Sequence, residues 1–128
     1  MARDISGNVQ FFSGDNLSLR EVLPGVKMWG VSLEKTVLTY FEIGPHCNFE
    51  IHSHISEQIT MVLEGELFFE YDDRIESVRS GEVIAIPSQV PHAVFSKEKS
   101  VKAIDAWSPI IEDYHQKDGE QNEKSVGL

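Results

Sequence analysis

The chain has 128 residues, with 21 Asp plus Glu against 11 Lys plus Arg, five His and one Cys, for a formal net charge of −10. That length suits one compact core, and a single Cys rules out an internal disulfide and any zinc site made of four Cys. The acidic balance argues against a nucleic-acid or anionic-membrane surface, which needs clustered Lys and Arg, and with a mean hydropathy of −0.23 and apolar runs as short as Val83–Ile86 no segment is long enough to span a bilayer.

In chain order, residues 1–8 are read as an N-terminal arm, and Met1–Phe12 lacks the continuous apolar stretch of a secretory signal, so a cytoplasmic location is expected. Asn16–Val22 can form a turn or two of helix or an irregular edge. Short runs rich in β-branched and aromatic residues then predict strands at Val26–Leu33, Thr36–Ile43, Gln58–Leu63, Glu66–Tyr71, Val83–Ile86, Ala93–Phe95 and Val101–Trp107. Turn pairs separate them: Pro24-Gly25, Gly44-Pro45, Glu64-Gly65, Asp72-Asp73, Ser80-Gly81 and Pro87-Ser88. Pro109–His115, with Ser108 as its cap, is the second stretch open to helix or irregular structure. Residues 116–128 are polar and charged and read as a disordered tail. The sum is an all-β chain, a barrel or sandwich over residues 9–115.

The histidines carry the chemistry. His52 and His54 form a His-x-His pair, and on a strand residues two apart share a face, so both rings reach one point. Gln58 shares its face with Thr60 and Val62 and adds a carboxamide oxygen, with the neighbouring Glu57 as the rival ligand. His92 opens a later strand. Such a pair recurs by chance in many chains; the flanking Gly44, Gly65, Gly81 and Pro87 set this one apart. Three imidazoles and an amide oxygen suit one divalent transition metal, with Zn, Ni, Fe, Mn and Co all open. Asp105 and Trp107 share one face of the last strand beside the small Ala103; burial would raise the Asp105 pKa into an acid–base range, whereas a strand-end Asp faces water. Glu50 shares strand parity with His52 and His54, either as an inward catalytic group or as a solvent-exposed strand entry. Cys47 reads as a buried thiol, and His46 and His115 as surface residues of a turn and the tail.

Gly44, His52, His54, Gln58 and Gly65 form one motif, and Gly81, Pro87, Gln89, His92 and Ser96 a second; with them the chain resembles the cupin superfamily over most of residues 9–115. The resemblance implies a single-domain cupin, a double-stranded β-helix or jelly-roll barrel, holding the metal on His52, His54, Gln58 and His92. Four departures stand out. The gap from Gly44 to His52 is two residues longer than usual, Gln58 replaces the commoner Glu, and Gln89 and Ser96 replace Gly and Asn. The change to Gln58 leaves the metal charge uncompensated by the protein, which favours Lewis-acid work.

The phrase from Asp105 to Tyr114, with His-Ser-His leading into Gln-Ile-Thr-Met-Val-Leu-Glu-Gly, is similar to small cupins of pectin and alginate breakdown, which convert 4,5-unsaturated monouronates to linear keto sugars. Those proteins carry an Asp, an aromatic residue and an Arg in this phrase; Asp105 and Trp107 match the first two, and Ile111 stands where the Arg would be. A uronate carboxylate in an acidic protein needs a cation, for which Lys27 and Arg20 are the available replacements. The expected function is a metal-dependent isomerase or lyase acting on a small molecule. In it the metal polarises a substrate oxygen, Asp105 moves a proton with Glu50 as a further catalytic candidate, and Trp107, Lys27 and Tyr40 contact substrate. Three other readings stay open: an Fe-dependent dioxygenase; a polyketide-cyclase-like cupin whose apolar mouth uses Met28, Trp29, Tyr40 and Phe41; and a non-catalytic metal or small-molecule binder. The resemblance also implies a homodimer.

Overall fold

The computed structural model describes residues 3–6 and 9–110. β1 (Arg3–Ser6) and β2 (Val9–Phe11) pair as an antiparallel two-stranded sheet. Asn16–Val22, open to helix from the sequence, is not helical: a single 3-10 turn covers Gly14–Asn16, and β3 (Arg20–Leu23) follows. One helical turn carries an unfavourable nucleation cost. Pro24-Gly25, with Gly25 at φ 81°, instead folds the chain back so that β3 pairs with β4 (Val26–Ser32).

The remaining strands are β5 (Val37–Ile43), β6 (Asn48–His52), β7 (Glu57–Glu64), β8 (Glu66–Tyr71), β9 (Arg74–Arg79), β10 (Val83–Ile86), β11 (His92–Phe95) and β12 (Val101–Ser108). They form two sheets of antiparallel pairs, one in the order β10-β7-β12-β5-β4-β3 and the other β6-β11-β8-β9. This is the jelly-roll that the resemblance implies; β1, β2, β3, β6 and β9 are strands beyond the seven runs read from the sequence. Arg74–Arg79 has only Ile75 and Val78 as apolar residues and so gives little strand signal. It forms because Asp72 and Asp73 both adopt positive φ, 50° and 58°, the conformation of a tight hairpin whose twist suits the strands it joins.

Strict alternation places the core between the sheets. On β4, β5, β7 and β12, Val26, Met28, Phe41, Ile43, Val62, Val101 and Ala103 face inward against Leu67, Phe69 and Val94 of the second sheet. Gly65 closes the β7–β8 hairpin at φ 88°, where a Cβ would lie 2.4 Å from the Ser100 carbonyl oxygen, so no larger residue fits without backbone movement.

Two inward rows depart from this apolar rule. In one, Thr60, Asp105 and Thr39 are direct cross-strand partners; in the next, Gln58, Trp107 and Val37 are. The outward face of the same sheet is apolar in two rows across five strands: Val83, Met61, Ile104, Tyr40 and Trp29, then Ala85, Ile59, Ala106, Leu38 and Val31. Among the described residues no helix is long and apolar enough to cross a membrane.

Candidate metal centre

His52 ends β6 and lies directly opposite His92 at the start of β11. A bulge between the His92–His52 and Val94–Phe49 pairs sets three residues of β6 against two of β11, so Phe49 and His52 both face inward although they are three apart. His54 sits in the link to β7, where its carbonyl oxygen accepts a 2.8 Å hydrogen bond from the Gln89 N–H. Gln89 holds this position at φ 70°, a left-handed conformation that Gly adopts without strain, which explains why Gly is the commoner residue there. Gln58, the second residue of β7, is fully buried, while Glu57 beside it is exposed on the opposite face and takes no part.

These elements bring the three imidazoles together. Ring centroids lie 4.5 Å apart for His52 and His92, 5.0 Å for His54 and His92, and 5.6 Å for His52 and His54. One potential ligand atom from each lies within 4.8 Å of the others.

The polarity of the rings follows from what stands behind them. Each Nδ1 abuts a backbone carbonyl oxygen: His52 that of Glu50 at 2.8 Å, His54 that of Ser56 at 2.9 Å, His92 that of Val90 at 2.9 Å. A carbonyl only accepts, so Nδ1 carries the hydrogen and a neutral ring turns the lone pair of Nε2 to the interior. The His52 Nε2 is buried without a hydrogen-bond partner. The His54 Nε2 lies 3.0 Å from the Gln58 Oε1, two acceptors face to face, while the Gln58 Nε2 donates to the Thr60 Oγ1 at 2.8 Å. Such a set is unfavourable alone and favourable around a shared cation. Three Nε2 atoms and one amide oxygen, supported by carbonyls behind the rings, fit one divalent transition metal.

Asp105, 1% exposed, lies behind Gln58. Its carboxyl accepts from the Thr60 hydroxyl and, at 3.2 Å, from the Thr39 hydroxyl. Burial pushes it up to about 7, against the opposing hydrogen bonds of Thr60 and Thr39. Trp107, also 1% exposed, donates from Nε1 to the Thr39 Oγ1 at 2.8 Å and meets the His54 ring edge-on at 5.4 Å. It is a packed wall beside His54, not an aromatic surface open to the barrel mouth.

The structure does not bring Glu50, Lys27 or Tyr40 to this cluster. The β6 bulge breaks the parity that would have aligned Glu50 with His52; its side chain is exposed, and its backbone carbonyl is what serves the site. Lys27 is exposed in cross-strand register with Glu42, outside the barrel. Tyr40 stacks on Trp29 at 5.6 Å on the outer face and donates to the Glu42 Oε2 at 2.8 Å; burial and that carboxylate push its phenol up to about 12. The Cys47 Sγ lies near the backbone oxygens of Pro24 and Gly25, at 3.9 and 3.8 Å. Ile111, His115 and the tail 116–128 lie outside the described residues, as does nearly all of Pro109–His115. Thr39 and the hydrogen-bonding role of Thr60 were not anticipated. Their signal was a hydroxyl at an inward parity position on two neighbours of the Asp105 strand.

The family model of the cupin domain, Cupin_2, matches residues 39–107. No curated protein sequence matches the chain. Among solved structures, an RmlC-like cupin from Shewanella frigidimarina NCIMB 400 superposes with a TM-score of 0.75 at 22% identity, over 81% of this chain and 94% of the other. KdgF from Halomonas sp. gives 0.74 at 21% identity, over 80% and 96%. The polyketide cyclase RemF from Streptomyces resistomycificus gives 0.70 at 22% identity, over 80% of each chain. At these identities the likeness is one of fold.

His52→Ala or His92→Ala should reduce divalent-metal affinity by more than the roughly 10- to 100-fold that loss of a supporting partner costs. His46→Ala should bind as the unaltered protein does; titration calorimetry reads all three.

Proposed function

The chain belongs to the cupin family, and from that premise we propose that it is a metal-dependent enzyme that opens or tautomerises an unsaturated sugar acid or a similar carbonyl compound. The observation that carries this reading is the charge and polarity of the donor set: three imidazoles held as Nδ1–H tautomers and one carboxamide oxygen, with no carboxylate among them. His52, His54, His92 and Gln58 would hold the ion. A divalent ion in a neutral donor set keeps its full charge for polarising a substrate oxygen.

The protein's own groups supply the rest. Asp105 is a buried carboxyl at the back of the site whose raised pKa suits it to hold or release a proton near neutrality. Trp107 and the inward aliphatic residues around it keep water from the wall beside His54. Of the two cations that the sequence offers for a substrate carboxylate, Lys27 faces solvent, and Arg20 is half-buried in register with Met28.

The test is an assay of unsaturated galacturonate with protein loaded in turn with Zn, Ni, Mn and Fe, followed by loss of the conjugated chromophore alongside an oxygen electrode. Turnover with a redox-inert ion and no oxygen uptake is expected. No turnover with any of the ions, or product only with Fe and consumption of oxygen, would contradict the reading.

We also propose that the chain pairs with a second copy through the outer face of the six-stranded sheet. Ile59, Met61, Leu63, Leu38 and Val83 are each between 39% and 53% exposed there. With their cross-strand neighbours they form one contiguous apolar patch, the kind of exposed surface that marks an interaction site. The two rows hold no charged side chain, so a flat face can meet its own copy about a two-fold axis without burying like charges. Light scattering coupled to size exclusion should give a dimer for the unaltered protein and a monomer for Met61→Glu; a monomeric unaltered protein would overturn the pairing.

A further inference from the structure

The Gln58 amide is held in an orientation that its front neighbour does not favour. In the metal-free protein, rotating the amide by half a turn would let its NH₂ donate to the His54 Nε2 instead of setting the Oε1 against that nitrogen at 3.0 Å. The amide is therefore fixed from behind. With Asp105 ionised, the hydrogen bonds there run in one direction only.

The indole N–H of Trp107 has a hydrogen to give and nothing to accept with, so the Thr39 oxygen accepts it, and the Thr39 hydroxyl hydrogen goes to the Asp105 Oδ2. On the other side, the Asp105 Oδ1 takes the hydroxyl hydrogen of Thr60, which leaves the Thr60 oxygen to accept from the Gln58 Nε2. With its NH₂ committed to the rear, the amide presents its oxygen to the imidazoles. Thr60, Asp105 and Thr39 are direct cross-strand neighbours on β7, β12 and β5, so the relay sits on three paired strands and is buried throughout.

We propose that Asp105 is a positioning residue that sets which end of the Gln58 carboxamide faces the metal ligands, through Thr60; this rests on the metal-binding reading above. An Asn at position 105 keeps the shape and reverses the direction. Because Trp107 holds Thr39 as a donor, the Asn oxygen must face Thr39 and its NH₂ must face Thr60. Thr60 then accepts from position 105 and gives its hydrogen to Gln58. The amide turns, and its NH₂ replaces the oxygen at the site.

The test measures divalent-ion affinity of the full chain, by competition with a coloured chelator using Zn and Co, without reference to turnover. Asp105→Asn should weaken binding about 10- to 100-fold. In a Gln58→Ala background the same change should cost no more than about threefold, the share due to its charge alone, since sites that act through one another are not additive. Thr60→Val, which leaves every charge in place, should weaken binding as Asp105→Asn does, and Thr60→Ser should restore it. Equal losses from Asp105→Asn in both backgrounds, or a Thr60→Val protein that binds as the unaltered one does, would overturn the proposal. Thermal melts of the metal-free variants identify any that fail to fold, and the Thr60→Val and Thr60→Ser pair decides the matter if Asp105→Asn is one of them. Failure of the unaltered protein to bind any divalent ion would overturn the metal reading as well, whereas binding that the variants leave intact overturns only the role of Asp105.

Discussion

A backbone carbonyl oxygen has no hydrogen to give, and three of them, on Glu50, Ser56 and Val90, decide which nitrogen of each histidine faces the barrel interior. The rest of the site follows from that constraint. Once Nδ1 is committed to the backbone, three lone pairs converge, and Gln58 adds a fourth acceptor because its NH₂ is committed to Thr60. Acceptors gathered in so small a space repel one another, and a polar group taken from water, such as the His52 Nε2, needs a partner. A cation is the partner that satisfies all of them at once.

The fold exists to keep this arrangement rigid. His52 and His92 stand opposite each other across the β6–β11 ladder, Gln58 is in register with Trp107 on β12, and the Gln89 N–H pins the His54 carbonyl from the loop before β11. The two sheets that close over these side chains are apolar inside except for the rows that carry Gln58 and Asp105. A buried carboxylate is expensive unless hydrogen-bonded. Asp105 has hydrogen bonds from two threonines, and on the outward face of its own strand Ile104 and Ala106 belong to the two apolar rows. The same sheet thus carries the two polar rows of the site on its inner face and two apolar rows on its outer face.

Much of this was legible in the sequence, for a physical reason. Strand parity is a period of two, and it places Gln58 and Glu57 on opposite faces and Asp105 and Trp107 on one. Parity failed at Glu50 because a bulge inserts one residue into β6, and nothing in Asn48-Phe49-Glu50-Ile51-His52 announces it. It was also silent on depth. Tyr40 and Lys27 lie at outward positions of strands whose inward faces were easy to recognise, yet aromatic and cationic character drew them into the expected site. β9 escaped notice because the Asp72-Asp73 turn, not the apolar content of Arg74–Arg79, forms it. The direction of the hydrogen-bond relay is invisible in sequence, since it depends on which hydroxyl faces which carboxylate oxygen.

The tautomeric state of the three histidines in metal-free protein measures most directly whether the cluster is built to hold a cation. Long-range ¹H–¹⁵N correlation NMR of ¹⁵N-histidine-labelled chain at neutral pH distinguishes a protonated ring nitrogen from a bare one. His52, His54 and His92 should each carry hydrogen on Nδ1 and a lone pair on Nε2, and adding one equivalent of Zn should shift all three Nε2 resonances together. Hydrogen on Nε2 in any of the three, or Nε2 resonances that do not respond to the ion, would contradict that role.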